Sequence, residues 1–249
     1  MAKIHKAFIA LAFLFICSVE GSAQKPAEEE VGTYYRSEAA GGFIWHTNGV
    51  GIHFRYGRNT TDLYKTSFGL DLVNMRHDKE VKVYNPVYDD GKGYYFGKMN
   101  AVLVARPFYG GRKILFKKLR TQGVEVGFNW GIGPSIAFAK PVYLAIIKPN
   151  DPLLPVVDEK YDPSKHNVDN IYGRSRWSLG MDEMKIHIGA QAKFGMHFEI
   201  HPEDDRIRAL EVGVSLDYYP KEIQIMAGDV NKPYFLTPYL NFIFGGKYY

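Results

Sequence analysis

The stretch Val124-Glu125-Val126-Gly127-Phe128-Asn129-Trp130-Gly131-Ile132-Gly133-Pro134-Ser135-Ile136-Ala137-Phe138 decides the fold. Its even positions are all apolar, and its odd positions are glycine, alanine, serine, asparagine or glutamate. Successive side chains of a strand point to opposite faces, so this period of two describes a strand with one apolar face and one small or polar face. Ile186 to Ile200 repeats the pattern, with Ile186, Ile188, Ala190, Ala192, Phe194, Met196, Phe198 and Ile200 opposing His187, Gly189, Gln191, Lys193, Gly195, His197 and Glu199. Weaker alternation marks Gly41 to Thr47, Val50 to Arg58, Tyr64 to Met75, Tyr94 to Arg106, Ile207 to Tyr219 and Tyr234 to Gly245. The expected chain thus has eight strands.

Alternation does not say whether the apolar face looks into a core or out into lipid. The other face decides, because Gly51, Gly69, Gly127, Gly131, Gly133, Gly189, Gly195 and Gly213 lie on it. Glycine weakens a solvated strand but makes room inside a narrow lumen. Strands of roughly 13 to 16 residues exceed the usual soluble length and suit a tilted bilayer crossing. Aromatic residues gather at strand ends (Tyr64, Tyr94-Tyr95-Phe96, Phe108-Tyr109, Tyr143, Tyr218-Tyr219, Tyr234-Phe235), as interfacial girdles do. The expected fold is all-β, an eight-stranded antiparallel transmembrane β-barrel with one long extracellular loop. The competing architecture is a secreted lipocalin-like binding barrel, with the apolar face inside.

Composition agrees. The 249 residues are 46% apolar and 15% aromatic, with 25 glycines, a mixture favouring β-structure rich in turns. A net charge of only +4, dispersed along the chain, leaves no nucleic-acid footprint. At the start, Lys3 and Lys6 precede an apolar run from Ala7 to Val19 and the small residues Gly21-Ser22-Ala23, the pattern of a signal peptide over residues 1–23. The run is shorter than the ~20 residues of a membrane-spanning helix. Lipidation at Cys17 is disfavoured by the bulky Phe15-Ile16 before it. Cleavage after Ala23 removes the single cysteine, and with it any disulfide or thiol chemistry. A polar lead over 24–38 and a barrel over 39–249 complete the expected organisation.

With both ends periplasmic, the outward connections are the Asn48-Gly49 hairpin turn, Arg76 to Lys92, the long loop over 139–184, and Pro220 to Lys232. The inward ones are Gly57 to Asp62, Pro107 to Gln122 and His201 to Asp205. The expected lumen carries a polar network of Arg55, Asp71, Lys98, Glu125, Lys193, Glu199, Glu211 and Asp217, joined by Lys65, His53, His187 and His197. Near balance of sign argues for a plug of ion pairs, since buried charges must be partnered and a selective pore more often carries one sign. Two surfaces are candidates for partners. One is the apolar centre of the long loop, Leu153, Leu154, Val156 and Val157; the other is the basic inward connection with Lys117, Lys118 and Arg120.

Catalytic, metal and cofactor residues are not expected. Trp45-His46-Thr47-Asn48-Gly49 is similar to the strand motif of outer-membrane lipid A deacylases. There a His stands two residues before a Ser, on one strand face; here Thr47 directly follows His46 and points to the opposite face. His187 and His197 lie some 33 Å apart along one strand at ~3.3 Å per residue, too far to share a metal. The acids of the long loop do not follow the spacing of an EF-hand.

The chain also resembles a family of small outer-membrane β-barrel proteins of the Bacteroidota, which includes barrels associated with secretion or outer-membrane assembly. The resemblance rests on the GSAQ cleavage region and on His46-Thr47-Asn48-Gly49, Asp71-Leu72-Val73-Asn74-Met75, Gly123-Val124-Glu125-Val126, Lys140-Pro141-Val142-Tyr143-Leu144, Asn170-Ile171-Tyr172-Gly173-Arg174 and Ala192-Lys193-Phe194-Gly195. It implies an outer-membrane location and a non-enzymatic role, and it carries over no catalytic residues. The expected partners are outer-membrane lipids and other envelope proteins, in a scaffold or accessory subunit of a secretion or assembly complex. The alternative is a lipid A-modifying enzyme.

Overall fold

The structure, a computed structural model, describes residues 36–88, 90–117, 123–148, 156–200, 205–228 and 230–248. The expected signal peptide and most of the polar lead lie outside them, as do Leu153, Leu154, Lys118 and Arg120. Thirteen strands are formed among the described residues. Eight close a barrel: β1 (Ser37–His46), β2 (Gly49–Thr61), β3 (Tyr64–Met75), β6 (Asn100–Phe116), β7 (Glu125–Pro141), β11 (Lys185–Glu199), β12 (Arg206–Tyr218) and β13 (Tyr234–Tyr248). Each pairs antiparallel with its neighbour, and β1 pairs with β13 along its whole length, from Ser37↔Tyr248 to His46↔Tyr239. The closed ladder leaves no strand edge, the condition for a sheet to sit in hydrocarbon.

The faces settle the direction of the apolar side. Phe43, Phe54, Phe68, Ile132, Ile188, Phe194, Leu236 and Phe244 project outward and are at least half exposed, while Arg55, Asp71, Lys193, Glu199, Glu211 and Asp217 are buried inside. A lipocalin-like barrel needs the reverse, so that alternative is overturned. The apolar belt is the wall of an outer-membrane β-barrel. The lumen glycines give way to large neighbours: a Cβ on Gly69 would stand 2.3 Å from the Phe108 ring, and Cβ atoms on Gly195 and Gly213 2.9 and 2.8 Å from the Tyr239 hydroxyl.

Several boundaries differ from the expected ones. β1 begins at Ser37, so Glu38 belongs to the barrel and not to the lead. His46 pairs with Gly49, which makes Thr47-Asn48 the two-residue turn, one position earlier than Asn48-Gly49. Glycine is needed at 49 because a Cβ there would lie 2.2 Å from the Asn74 carbonyl oxygen. The fourth barrel strand is not Tyr94 to Arg106 but Asn100–Phe116, so most of the expected basic inward connection is strand. Pro107 reads as a terminator because it has no N–H. The register runs from Ala105↔Ile136 to Tyr109↔Ile132 across a gap that puts Pro107 opposite Pro134, where neither residue has a donor to offer. Tyr94 and Tyr95 form β5 (Tyr94–Tyr95), which pairs with β4 (Lys82–Val83) beside the barrel mouth.

The long connection also departs from a loop. It contains β8 (Tyr143–Ile147), β9 (Val156–Lys160) and β10 (Ile171–Arg174), a sheet in the order β10-β8-β9. Leu144, Ile146, Tyr161 and Ile171 pack with Tyr94 into a separate core. The prolines around these short strands break the alternation that would have marked them.

Charge placed in the belt should cost about 2 to 4 kcal/mol at mid-depth. Ile132→Arg is therefore expected to destabilise the barrel in lipid vesicles by that amount, while Val81→Arg, on a 66% exposed loop position, leaves it unchanged. Denaturant unfolding in vesicles reads both, and equal effects would refute the assignment of faces.

Candidate functional site: the closed lumen and its mouth

The lumen is filled in tiers. Nearest the termini, Glu38 on β1 collects cations from three other strands: Lys65 Nζ donates to Oε2 at 3.0 Å, and Arg112 and Arg55 approach Oε1 at 3.3 and 3.6 Å. Arg112 Nε donates to Asn129 Oδ1 (3.1 Å), and Asn129 Nδ2 donates to Glu211 Oε2 (2.6 Å). Glu211 also accepts from the Tyr239 hydroxyl (2.7 Å) and faces Arg55 (3.6 Å) and His197 (3.7 Å). At the same end Glu199 is register partner to Glu125, and Lys247 Nζ donates to Glu199 at 2.7 Å.

In the middle tier, Asp71 is held by His53 Nδ1 at 2.5 Å and by Lys193 Nζ at 2.8 Å, while the Lys193 ammonium lies 3.4 Å from the Phe108 ring centroid. Toward the loops, Arg106 grips Asp217 with two bonds, Nε to Oδ1 (2.9 Å) and Nη2 to Oδ2 (2.5 Å), and Ser135 Oγ donates to the same carboxylate (2.7 Å). Glu38, Asp71, Glu199, Glu211 and Asp217 each face at least one cation, as buried charge requires, while Arg55 Nε, Arg112 Nη1 and Glu199 Oε2 have no hydrogen-bond partner among the described residues.

Above these tiers the filling changes character. Ile223, Ile225 and Met226, from the connection between β12 and β13, pack with Ile44, Val73, Met75, Val102, Val104 and Tyr219 in an apolar cork. Asn231 holds that connection in shape: its Oδ1 accepts from the backbone N–H groups of Ile225 and Met226, and its Nδ2 donates to the Met226 carbonyl.

Of the residues expected in the lumen, Arg55, Asp71, Lys193, Glu199, Glu211 and Asp217 meet there, with Lys65, His53 and His197. Glu125 stands partly buried at the start of β7. Lys98 is a correction: it precedes β6 at the mouth and binds Glu80 at 2.6 Å, outside the barrel strands, because the strand it was assigned to starts at Asn100. Glu38, Arg106, Arg112 and Lys247 were missed. Parity could have found the first three, since Glu38 is in phase with Ala40, Ile44 and His46, and Arg106 and Arg112 with Val102 and Val104. The cork was hidden because a short apolar group in a polar connection has no period.

The candidate partner surfaces are divided. Val156 is exposed and Val157 partly buried at the start of β9, and Lys117 is exposed just past β6. The sheet of the long connection is tied by Lys160 and Tyr143 to Glu183 and by Lys148 to Glu159. The hydrogen bond from Lys148 holds Glu159 below the ordinary carboxylate range, and burial pushes the Tyr94 and Tyr161 hydroxyls above the usual phenol value. At the Trp45-to-Gly49 turn His46 is buried and its Nδ1 accepts from the Asn48 N–H, while Thr47 Oγ1 donates to Asn48 Oδ1, so His46 and Thr47 do not form a pair. Among the described residues no group of three or more His, Asp or Glu side chains is arranged to hold a metal.

Fold and lumen together define a small, closed outer-membrane β-barrel. Solved structures of similar shape include Ail, the attachment invasion locus protein of Yersinia pestis, at 8% identity and a TM-score of 0.40, over 87% of this chain and all of that one. Neisserial surface protein A (NspA) is similar at 8% identity and a TM-score of 0.40, over 86% of this chain and 97% of that one. No protein-family model and no curated protein sequence matches the chain.

Breaking one half of a buried pair strands the other charge, at a cost of about 3 to 5 kcal/mol. Asp217→Asn is expected to lower stability by that amount, and Arg106→Met on the same background to recover most of it, as read by unfolding of the reconstituted barrel. A double mutant no more stable than the single one would show that the pair is not the unit. Planar-bilayer recordings should give no steady conductance steps, because side chains occupy the lumen from the Glu38 tier to the cork.

Proposed function

We propose that the protein is a non-enzymatic outer-membrane scaffold, an accessory subunit of an envelope secretion or assembly complex of the Bacteroidota type. The observation that carries this reading is the contrast between a filled lumen and a built mouth. The charges of the interior face one another, while the long connection folds into a cored sheet that the barrel itself does not need for closure. A folded sheet beyond the barrel wall presents a fixed surface, and a fixed surface suits protein recognition better than transport. Val156 at one end of the molecule and Lys117 at the other offer contacts on both sides of the wall.

The test is purification from the outer membrane in mild detergent. The chain is expected to bring other envelope proteins with it. Deleting Leu153 to Val157 should release one set of partners, and Lys117→Gln, Lys118→Gln and Arg120→Gln together should release another. Recovery of the chain alone, with an altered lipid A mass in a strain lacking it, would replace the scaffold with an enzyme.

A further inference from the structure

Beside the mouth lies a cavity of about 390 Å³ lined by Lys82, Lys92, Lys98, Lys140, Arg174 and Arg176, with Trp177 at its rim and, among the described residues, no acidic residue in its wall. These cations differ from those of the lumen. Lys98 is neutralised by Glu80, but Lys140 meets no carboxylate among the described residues: it donates to the Leu179 carbonyl at 2.9 Å and lies 5.9 Å from the Trp177 ring centroid. Among the described residues Lys92, Arg174 and Arg176 have no carboxylate within ion-pair distance, and Trp177 is 74% exposed. Several like charges around one hollow repel each other, and an anion relieves that repulsion.

The position of the cavity selects the anion. Lys140 and Ala101 are paired across β7 and β6 and have the outward parity of Phe138 and Leu103, the next pair along the same face toward the belt. Phe138 in turn pairs with the exposed Ile186. The cavity is therefore on the outside of the wall, at the upper limit of the apolar belt and continuous with it. A molecule with its anionic group in the cavity and its hydrocarbon along Leu103, Phe138 and Ile186 satisfies both surfaces at once. We propose that this cavity binds the phosphorylated sugar headgroup of a membrane glycolipid whose acyl chains lie along that strip. Arginine and lysine supply phosphate contacts, and the open face of Trp177 suits stacking against a sugar ring. The site is independent of the scaffold reading and needs only the barrel in its membrane.

The test titrates the detergent-purified, full-length barrel with bisphosphorylated lipid A and counts retained lipid by native mass spectrometry. Lys92→Gln, Arg174→Gln and Arg176→Gln together should weaken retention at least tenfold, while Lys79→Gln, Lys165→Gln and Lys232→Gln, the same loss of charge elsewhere, should leave it unchanged. A heat-modifiable band on unboiled gels certifies that each variant is folded. Soluble glucosamine phosphate should bind at least tenfold more weakly than the lipid. Equal retention by the two triple variants overturns the site, and binding of the soluble sugar phosphate as tight as that of the lipid overturns the membrane source.

Discussion

Closure of the hydrogen-bonded ladder is the constraint from which the rest follows. In hydrocarbon no water is present to pair with an open strand edge, so β1 must meet β13 and every strand must find both neighbours. With eight strands the ring is narrow, and whatever points inward has to fit a small cylinder. The alternation of the chain is then inverted with respect to a soluble protein. Bulky apolar groups go outside, and the interior is left to glycines and to side chains that can satisfy one another. The tolerance of the ladder has a limit that is met at Pro107 and Pro134, which face each other so that two missing donors share one gap.

This inversion explains why the barrel was legible in the sequence and the mouth was not. Val124 to Phe138 and Ile186 to Ile200 name their faces directly, because one face meets lipid and the other meets a crowded lumen. The lumen ion pairs were legible to the extent that parity was: Asp71, Lys193, Glu211 and Asp217 sit in phase with clear strands. Arg106 and Arg112 were obscured by Pro107, and Glu38 by its place next to the polar lead. Pairing partners were not legible at all, since which carboxylate meets which cation depends on the stagger of the strands around the ring. Outside the belt no single pattern governs. The sheet of β8, β9 and β10 is made of runs of four or five residues, the first two of them between prolines, and the cork is three apolar residues in a polar connection.

The two ends of the molecule therefore solve different problems. Toward the termini, charge is compensated internally and little is left over for a ligand. At the mouth, Ile223, Ile225 and Met226 seal the lumen, and the basic residues around the cavity stand outside that seal. Polar chemistry in the wall is thus spent on stability, whereas polar chemistry above it remains open to molecules of the membrane and its surroundings.

The Glu38 tier has a consequence for how such a barrel comes together. Glu38 belongs to the first strand, and its cations come from β2, β3 and β6; Glu211, linked to them through Arg55 and Asn129, comes from β12. The β1–β2 hairpin can bring Arg55 to Glu38, but Lys65 and Arg112, the other cations on Glu38, and the Arg55 and Asn129 partners of Glu211 come from strands beyond any one hairpin. A half-built sheet entering the bilayer would carry bare carboxylates and guanidinium groups on its concave side, so partial insertion is penalised until the last strand arrives. The ion pairs in this way favour completion of the whole ring in a chain whose hydrogen bonds, taken alone, could form one hairpin at a time.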